Sequence, residues 1–408
     1  MNLLIIHSHN ANRGDEAAVR AMVDELLIRY KDAKITISNN GFTPYPNMPK
    51  QVEQICRFPK MRSRMAQLEF FIILATRGAV SFTKEGRKFV KRLKSADLVL
   101  HAPGGPSIGD IYYESEKLYL WRLNLVRRMG IPYMFYAPSM GPFKNEKRNK
   151  LRKKILQGAA KVILRDPISV KFVNEFIPQL QVEQALDSAL QHDVDIELNE
   201  AKLKGYTSLA KFIDSFDKCI GITITDLLWH PKHRTTGIDK KISEAFKGFI
   251  KKKTDEGYGI VFVPQLYGAL DDTSIMNEYM LEGSTFMIDA FSEEYDTYFQ
   301  QYVISKLYAV VGMRYHSNIF SAKVGTPFIS VSYEQKMKGF MESVNLEEYC
   351  LDVYDLSEAK LADRFRLLEE NYEDYRHKLS ELHGYMKEQS YKTTKAVIDI
   401  LEERVHDK

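Results

Sequence analysis

The sequence predicts an α/β protein whose strands form parallel sheets in two successive units. Short apolar runs end in Gly, Pro, Asp or other polar residues and lead into helical spacing, the pattern of strands alternating with helices. The alternation comes in two series, and a polar stretch without strand character, residues 193–217, separates them. A domain boundary is expected there, with a cleft between the halves.

The first strand is read at residues 3–6, followed by a helix over 15–30 in which Ala18, Met22, Leu26 and Ile28 approximate helical spacing. Further strands are expected at 33–38, 98–100, 133–136 and 162–164. The second series runs through 219–225, 259–263, 309–311 and 327–332. Residues from 356 onward repeat Leu, Glu and Lys at helical spacing without proline, so they read as helices that pack outside or cross back. The expected division is therefore 1–200, 215–355 and a helical 356–408.

With 44% apolar and 27% charged residues the chain buries an ample core and is not disordered. A formal charge of +4 is too small to imply nucleic-acid binding. Cys56, Cys219 and Cys350 are few, odd in number and far apart, which suggests neither a disulfide framework nor a zinc site and fits a reducing cytoplasm. The N-terminal apolar run stops at His7 with no basic lead, too short for a signal peptide or a spanning helix.

Ligands of open α/β sheets gather where loops leave the carboxyl ends of strands, so polar residues at those points are the candidates. The run 309–311 ends at Gly312 and delivers Arg314 and His316 to the start of a helix that Ser317 or Asn318 would cap and Gly325 would close. An arginine there binds a carboxylate or phosphate, and a histidine moves a proton near neutral pH. The plainer alternative is that both only satisfy carbonyls and solvent. Asn12, Gly14 and Asp15 open the first helix, where Asp15 is either functional or an N-cap. His101 and the loop Gly104-Gly105-Pro106 follow another strand. That loop lacks both the Walker lysine and the dinucleotide spacing, which excludes a nucleoside triphosphatase and a Rossmann dehydrogenase. Arg165 and Asp166 sit at a further strand-to-helix junction, with a structural cap as the alternative. The pairs His7/His9 and His230/His233 lack a carboxylate or cysteine at ligand spacing, so no metal site is expected.

These motifs, in order, resemble the polysaccharide pyruvyl transferase family. The residues carrying the resemblance are Asn12-Arg13-Gly14-Asp15-Glu16, Gly104-Gly105 with Asp110, Ala137 to Pro142, Leu164-Arg165-Asp166 with Ser169, and Leu186-Asp187-Ser188-Ala189. The most specific block is Gly312-Met313-Arg314-Tyr315-His316-Ser317, followed by Tyr333-Glu334-Gln335-Lys336. Pro106 departs from the pattern, because the family often has a third glycine there. The resemblance implies two Rossmann-like domains in a glycosyltransferase-B-like arrangement, phosphoenolpyruvate as co-substrate without a cofactor, and a sugar hydroxyl pair on a surface glycan or its lipid-linked precursor as acceptor. On that basis His316 is the expected general acid and Asp15, from the other domain, the expected base. Arg314, Arg165, Ser317 and Lys336 are expected to hold the donor. Asn12, Gly14, His101, Gly104 and Gly105 are expected on the acceptor side. Lys336 has the alternative of merely solvating a surface loop. A nucleotide-sugar-dependent glycosyltransferase of the same architecture and a non-catalytic sugar-binding member of the fold are the competing readings.

Residues 60–94 combine Lys60, Arg62, Arg64, Arg77, Lys84, Arg87, Lys88, Lys91 and Arg92 with the apolar Leu68, Phe70, Phe71, Ile72 and Ile73. This is either a face for peripheral contact with the inner side of an anionic membrane or, the reading preferred from sequence, a solvated helix face over core aromatics.

Overall fold

The apolar runs are buried on both faces and pair in parallel, as strands covered by helices on each side do. The computed structural model describes residues 1–40, 43–59, 63–268 and 271–406. Lys60, Arg62 and the side chain of Pro106 lie outside the described residues. The chain divides into two compact units, one of residues 1–10, 18–191 and 389–408, the other of residues 11–17 and 192–388.

In the first unit the described strands are β1 (Asn2–Ser8), β2 (Lys34–Asn39), β3 (Val52–Cys56), β4 (Leu98–His101), β5 (Gly104–Ile108), β6 (Tyr133–Tyr136), β7 (Pro138–Met140), β8 (Lys161–Leu164) and β9 (Glu183–Gln184). Seven form one parallel sheet in the order β3-β2-β1-β4-β6-β8-β9, and β5 pairs with β7 beside it. Successive side chains of β1 point to opposite faces. Leu4 and Ile6 pack with Phe70, Phe89 and Leu93, while Leu3 and Ile5 pack with Met22, Leu26 and Val397.

The second unit carries β10 (Cys219–Thr223), β11 (Gly259–Phe262), β12 (Thr285–Met287), β13 (Ala309–Gly312), β14 (Phe328–Ser332) and β15 (Cys350–Asp352). They form a parallel sheet in the order β12-β11-β10-β13-β14-β15.

The observed division differs from the expected one in three places. The polar stretch after residue 192 is two helices of the second unit, Ile196–Gly205 and Thr207–Asp214, rather than a linker. The final helix, Tyr372–His406, ends in the first unit, where the Ser390 hydroxyl donates to the Asp187 carbonyl at 2.6 Å and Thr394 bonds Gln191 at 2.8 Å. Residues 11–17 belong to the second unit. Its backbone holds them: the Arg13 N–H donates to the Gln265 carbonyl at 2.8 Å, and the Arg13 guanidinium donates to the carbonyls of Ala290 and Ser292 at 2.9 and 2.7 Å. Among the described residues no helix is long and apolar enough to cross a membrane.

Candidate active site

The second unit assembles its polar residues where β10, β11, β13 and β14 end. Gly312 closes β13, and Arg314 occupies the N-cap position of the helix Tyr315–Val324, which Gly325 ends in the left-handed conformation at φ 74°. The Arg314 N–H donates to Thr223 Oγ1 at 3.1 Å. Its guanidinium donates from Nε to Asp272 Oδ2 at 3.2 Å and from Nη2 to Asp272 Oδ1. Burial alone would lower the Arg314 pKa, but Asp272 and then Tyr333 outweigh it and the net shift is upward, so the cation is fixed. Trp229 lies under it, with the guanidinium carbon 5.5 Å from the ring centroid.

His316 stands in the first turn of the same helix and is buried. A β-carbon on Gly14 would fall 2.0 Å from its Nδ1 and 2.3 Å from its Cγ, so the backbone at Gly14 lies directly against the imidazole. The Asn12 side chain caps the first helix by accepting from the Gly14 N–H at 2.8 Å and the Asp15 N–H at 3.4 Å, and its Nδ2 donates to Asp15 Oδ2 at 3.0 Å. The cap is thus Asn12 rather than Asp15, and Asp15 shares a unit with His316 instead of coming from the other one. The turn is held by Arg13, which pairs with Glu16 at 2.8 Å and stacks over Tyr267 at 4.4 Å.

Just past the end of β14, Glu334 accepts from Lys336 at 2.6 Å and from His230 Nε2 at 3.3 Å. Burial raises the Glu334 pKa, but Lys336 and His230 overcome this and hold it well below the usual carboxylate range. Lys336 is therefore part of a buried charge cluster, not a solvated loop. Ser317 does not reach outward: its hydroxyl donates to the Arg314 carbonyl at 2.6 Å and lies 2.9 Å from Thr223 Oγ1. It fixes the helix start.

Arg165 belongs to the first unit, at the end of β8, and is buried. Its Nη1 pairs with Asp187 at 2.5 Å and its Nε donates to Ser139 Oγ at 3.0 Å, which in turn donates to Asp166 at 2.8 Å. The motif residues around 139, 166, 169 and 187 thus hydrogen-bond one another, with Asp187 as the counter-ion of Arg165. His101 ends β4, and its Nδ1 lies 2.8 Å from the Ala102 carbonyl. Gly104 begins β5 at φ 155°. Beside them sit two residues the strand-end criterion could not find, because they lie on the helix Tyr113–Arg128. Tyr119 hydroxyl contacts His9 Nε2 at 2.9 Å. Arg122 donates to the Phe58 carbonyl at 2.8 Å and Asn40 Oδ1 at 3.1 Å. Among the described residues no group of three His, Cys, Asp or Glu side chains is placed to hold a metal.

His7 and His101 face each other edge-on at 4.7 Å. Burial holds the pKa of His7 well below normal and that of His101 at about 4. Burial disfavours their protonated forms in the folded chain, so stability is complete above pH 6.5 and is lost as pH falls below it, for His101 down to about 4. For His101 this amounts to about 2 kcal/mol by pH 5. The urea midpoint is expected to drop between pH 7 and 5, and His101→Gln to flatten that drop.

The fold is that of an α/β protein of two Rossmann-like units. A UDP-GlcNAc 2-epimerase from Neisseria meningitidis matches with a TM-score of 0.57 at 13% identity, over 98% of this chain and 100% of that one. A UDP-glucosyltransferase from Polygonum tinctorium matches with a TM-score of 0.56 at 10% identity, over 98% of each chain. The glycosyltransferase-B-like fold class predicted from the sequence is thereby shown. More specifically, the polysaccharide pyruvyl transferase family model matches residues 12–335, and the chain belongs to that family. It is also 22% identical to the amylovoran biosynthesis protein AmsJ of Erwinia amylovora, over 92% of this chain and 93% of that protein. The protein is a transferase of polysaccharide modification.

Proposed function

We propose that the chain transfers the pyruvyl group of phosphoenolpyruvate to two hydroxyls of a sugar in a surface polysaccharide or its lipid-linked precursor. The observation that carries this reading is the juxtaposition of a proton-transfer group, His316 packed on Gly14, with the fixed cation Arg314 on the same helix turn. Asp272 takes the Nε and Nη2 edge of Arg314. The donor's carboxylate or phosphate is assigned to the rest of the guanidinium, with Lys336 adding positive charge nearby. His316 delivers a proton to C3 as the oxygen of the first hydroxyl bonds to C2 and releases its own proton to water. The C2–O bond to phosphate then breaks and phosphate leaves with its electron pair. The second hydroxyl oxygen bonds to C2 and closes the ketal, giving its proton to Asp15 or to water. Positive charge comes from side chains, so the reading requires no metal or organic cofactor. The acceptor is assigned to Asn12 and Gly14, in the same unit as His316.

Phosphate release from phosphoenolpyruvate in the presence of candidate glycosides tests the reaction. Phosphoenolpyruvate at about 100 times its Kd stabilises by about 2.7 kcal/mol, so it is expected to raise the melting temperature where UDP-sugars do not. A shift with UDP-sugars alone would replace this reading with the glycosyltransferase one.

A further inference from the structure

We infer that one face of the first unit docks on the surface of an anionic lipid bilayer. The inference stands apart from the reaction proposed above and holds whichever donor is used. Helix Arg64–Ala75 is apolar nearly all round. Phe70 and Ile73 enter the core, whereas Met65, Leu68 and Phe71 face outward, and Val80 and Phe82 follow on the connection to the next helix; these five are 43–65% exposed. Outward positions of a helix on a water-facing surface are ordinarily polar; Phe70 and Ile73 are core residues, as expected from the sequence, but Met65, Leu68 and Phe71 are left on the outside.

The exposure is built in. The buried carboxylate of Glu69 accepts from the N–H groups of Phe82 and Thr83 at 2.7 Å each and from the Ser81 hydroxyl at 2.8 Å. A buried charge is thus committed to holding a loop that presents Val80 and Phe82 to the outside. Phe71 also meets Trp121 edge-on at 4.9 Å, and Lys117 lies 4.5 Å from the centre of that indole, a pairing suited to the water–headgroup boundary.

The same connection supplies Arg77 to a hollow of about 570 Å³, lined also by Arg127, Arg128 and Lys154 and by no carboxylate among the described residues. Gly78 beside it packs near Met129 and Lys94, which joins the hollow to the cationic helix Lys84–Ser95, whose Phe89, Val90 and Leu93 point inward and whose Lys84, Arg87 and Lys91 are exposed. An apolar wedge next to a cationic hollow roomy enough for a phosphate-bearing headgroup matches a lipid headgroup above its acyl chains. A second copy of this chain fits less well, because a two-fold contact through this face would set its cations against their own like.

Cosedimentation of the full chain with phosphatidylcholine vesicles, with and without phosphatidylglycerol, tests the inference. Binding is expected only with phosphatidylglycerol, and it falls at least about tenfold from low to high salt as surface charges are screened. Arg127→Gln with Arg128→Gln is expected to lower partitioning about 25-fold, at about fivefold per charge. Leu68→Ser with Phe71→Ser is expected to lower it by more than about tenfold, with melting curves confirming that each variant folds. Absence of binding at low salt overturns the inference, as does binding unchanged in both variants. A wild-type dimer that ignores vesicles and that Leu68→Ser with Phe71→Ser turns into a monomer overturns it in favour of self-association.

Discussion

Replacing His316 with alanine is expected to lower phosphate release from phosphoenolpyruvate by about 10²- to 10⁴-fold, the usual worth of a positioned proton-transfer group. The more telling variant is Gly14→Ala, which removes no polar atom. Its new methyl would lie 2.0 Å from His316 Nδ1 and 2.6 Å from its Cβ, so the imidazole or the turn must shift by more than an ångström. A misplacement of that size costs about 10²-fold in rate. The turn resists yielding, because Arg13 is tied to three carbonyls and to Glu16. The two losses should not multiply: once His316 is alanine, adding Gly14→Ala should cost little further, since the clash is with the ring. Steady-state phosphate release for the two single variants and the double measures this. Full additivity would mean that Gly14 acts on the sugar or on the fold and not through His316.

Much of the sheet architecture could be read from the sequence, because parallel strands buried on both faces are continuous apolar runs. The strands at the sheet edges could not. Val52–Cys56 is mostly half-exposed with polar residues inside it, while Thr285–Met287 and Cys350–Asp352 have three residues each. Arg314 and His316 were legible because a strand end and a helix start bracket them. Their partners were not. Asp272 comes from a short helix 42 residues earlier in the chain, and nothing in its local pattern points to Arg314. The attachment of residues 11–17 to the second unit rests on backbone bonds to Gln265, Ala290 and Ser292, which leave no trace in side-chain periodicity. The counter-ion of Arg165 was hidden in the same way: an arginine at a strand end looks alike in sequence whether or not it holds an acid such as Asp187. In the run Phe70-Phe71-Ile72-Ile73 all positions are apolar, so the sequence could not say which ones face the core.

Asp272→Ala is expected to destabilise the protein more than any of the other substitutions. Asp272 is fully buried. Its Oδ2 accepts from the N–H groups of Gln265 and Leu266 at 3.0 Å each, as well as from Arg314 Nε. Gln265 in turn holds Arg13, so a single carboxylate links the turn at Gly14 to the cation beside His316. Removing it strands a buried guanidinium and leaves two backbone donors without their acceptor. Breaking a buried pair in this way costs about 3–5 kcal/mol. At about 2–4 °C per kcal/mol for a unit of this size, the melting temperature should fall by about 10 °C. Arg314→Met in the Asp272→Ala background should restore most of that loss, because no unpaired charge then remains inside, yet it should leave phosphate release abolished. Stability and activity would then separate within one residue pair. If the double variant were no more stable than Asp272→Ala alone, the cost would lie in the Gln265–Leu266 backbone, and Asp272 would act as a loop anchor rather than as the counter-ion that keeps Arg314 in place for the donor.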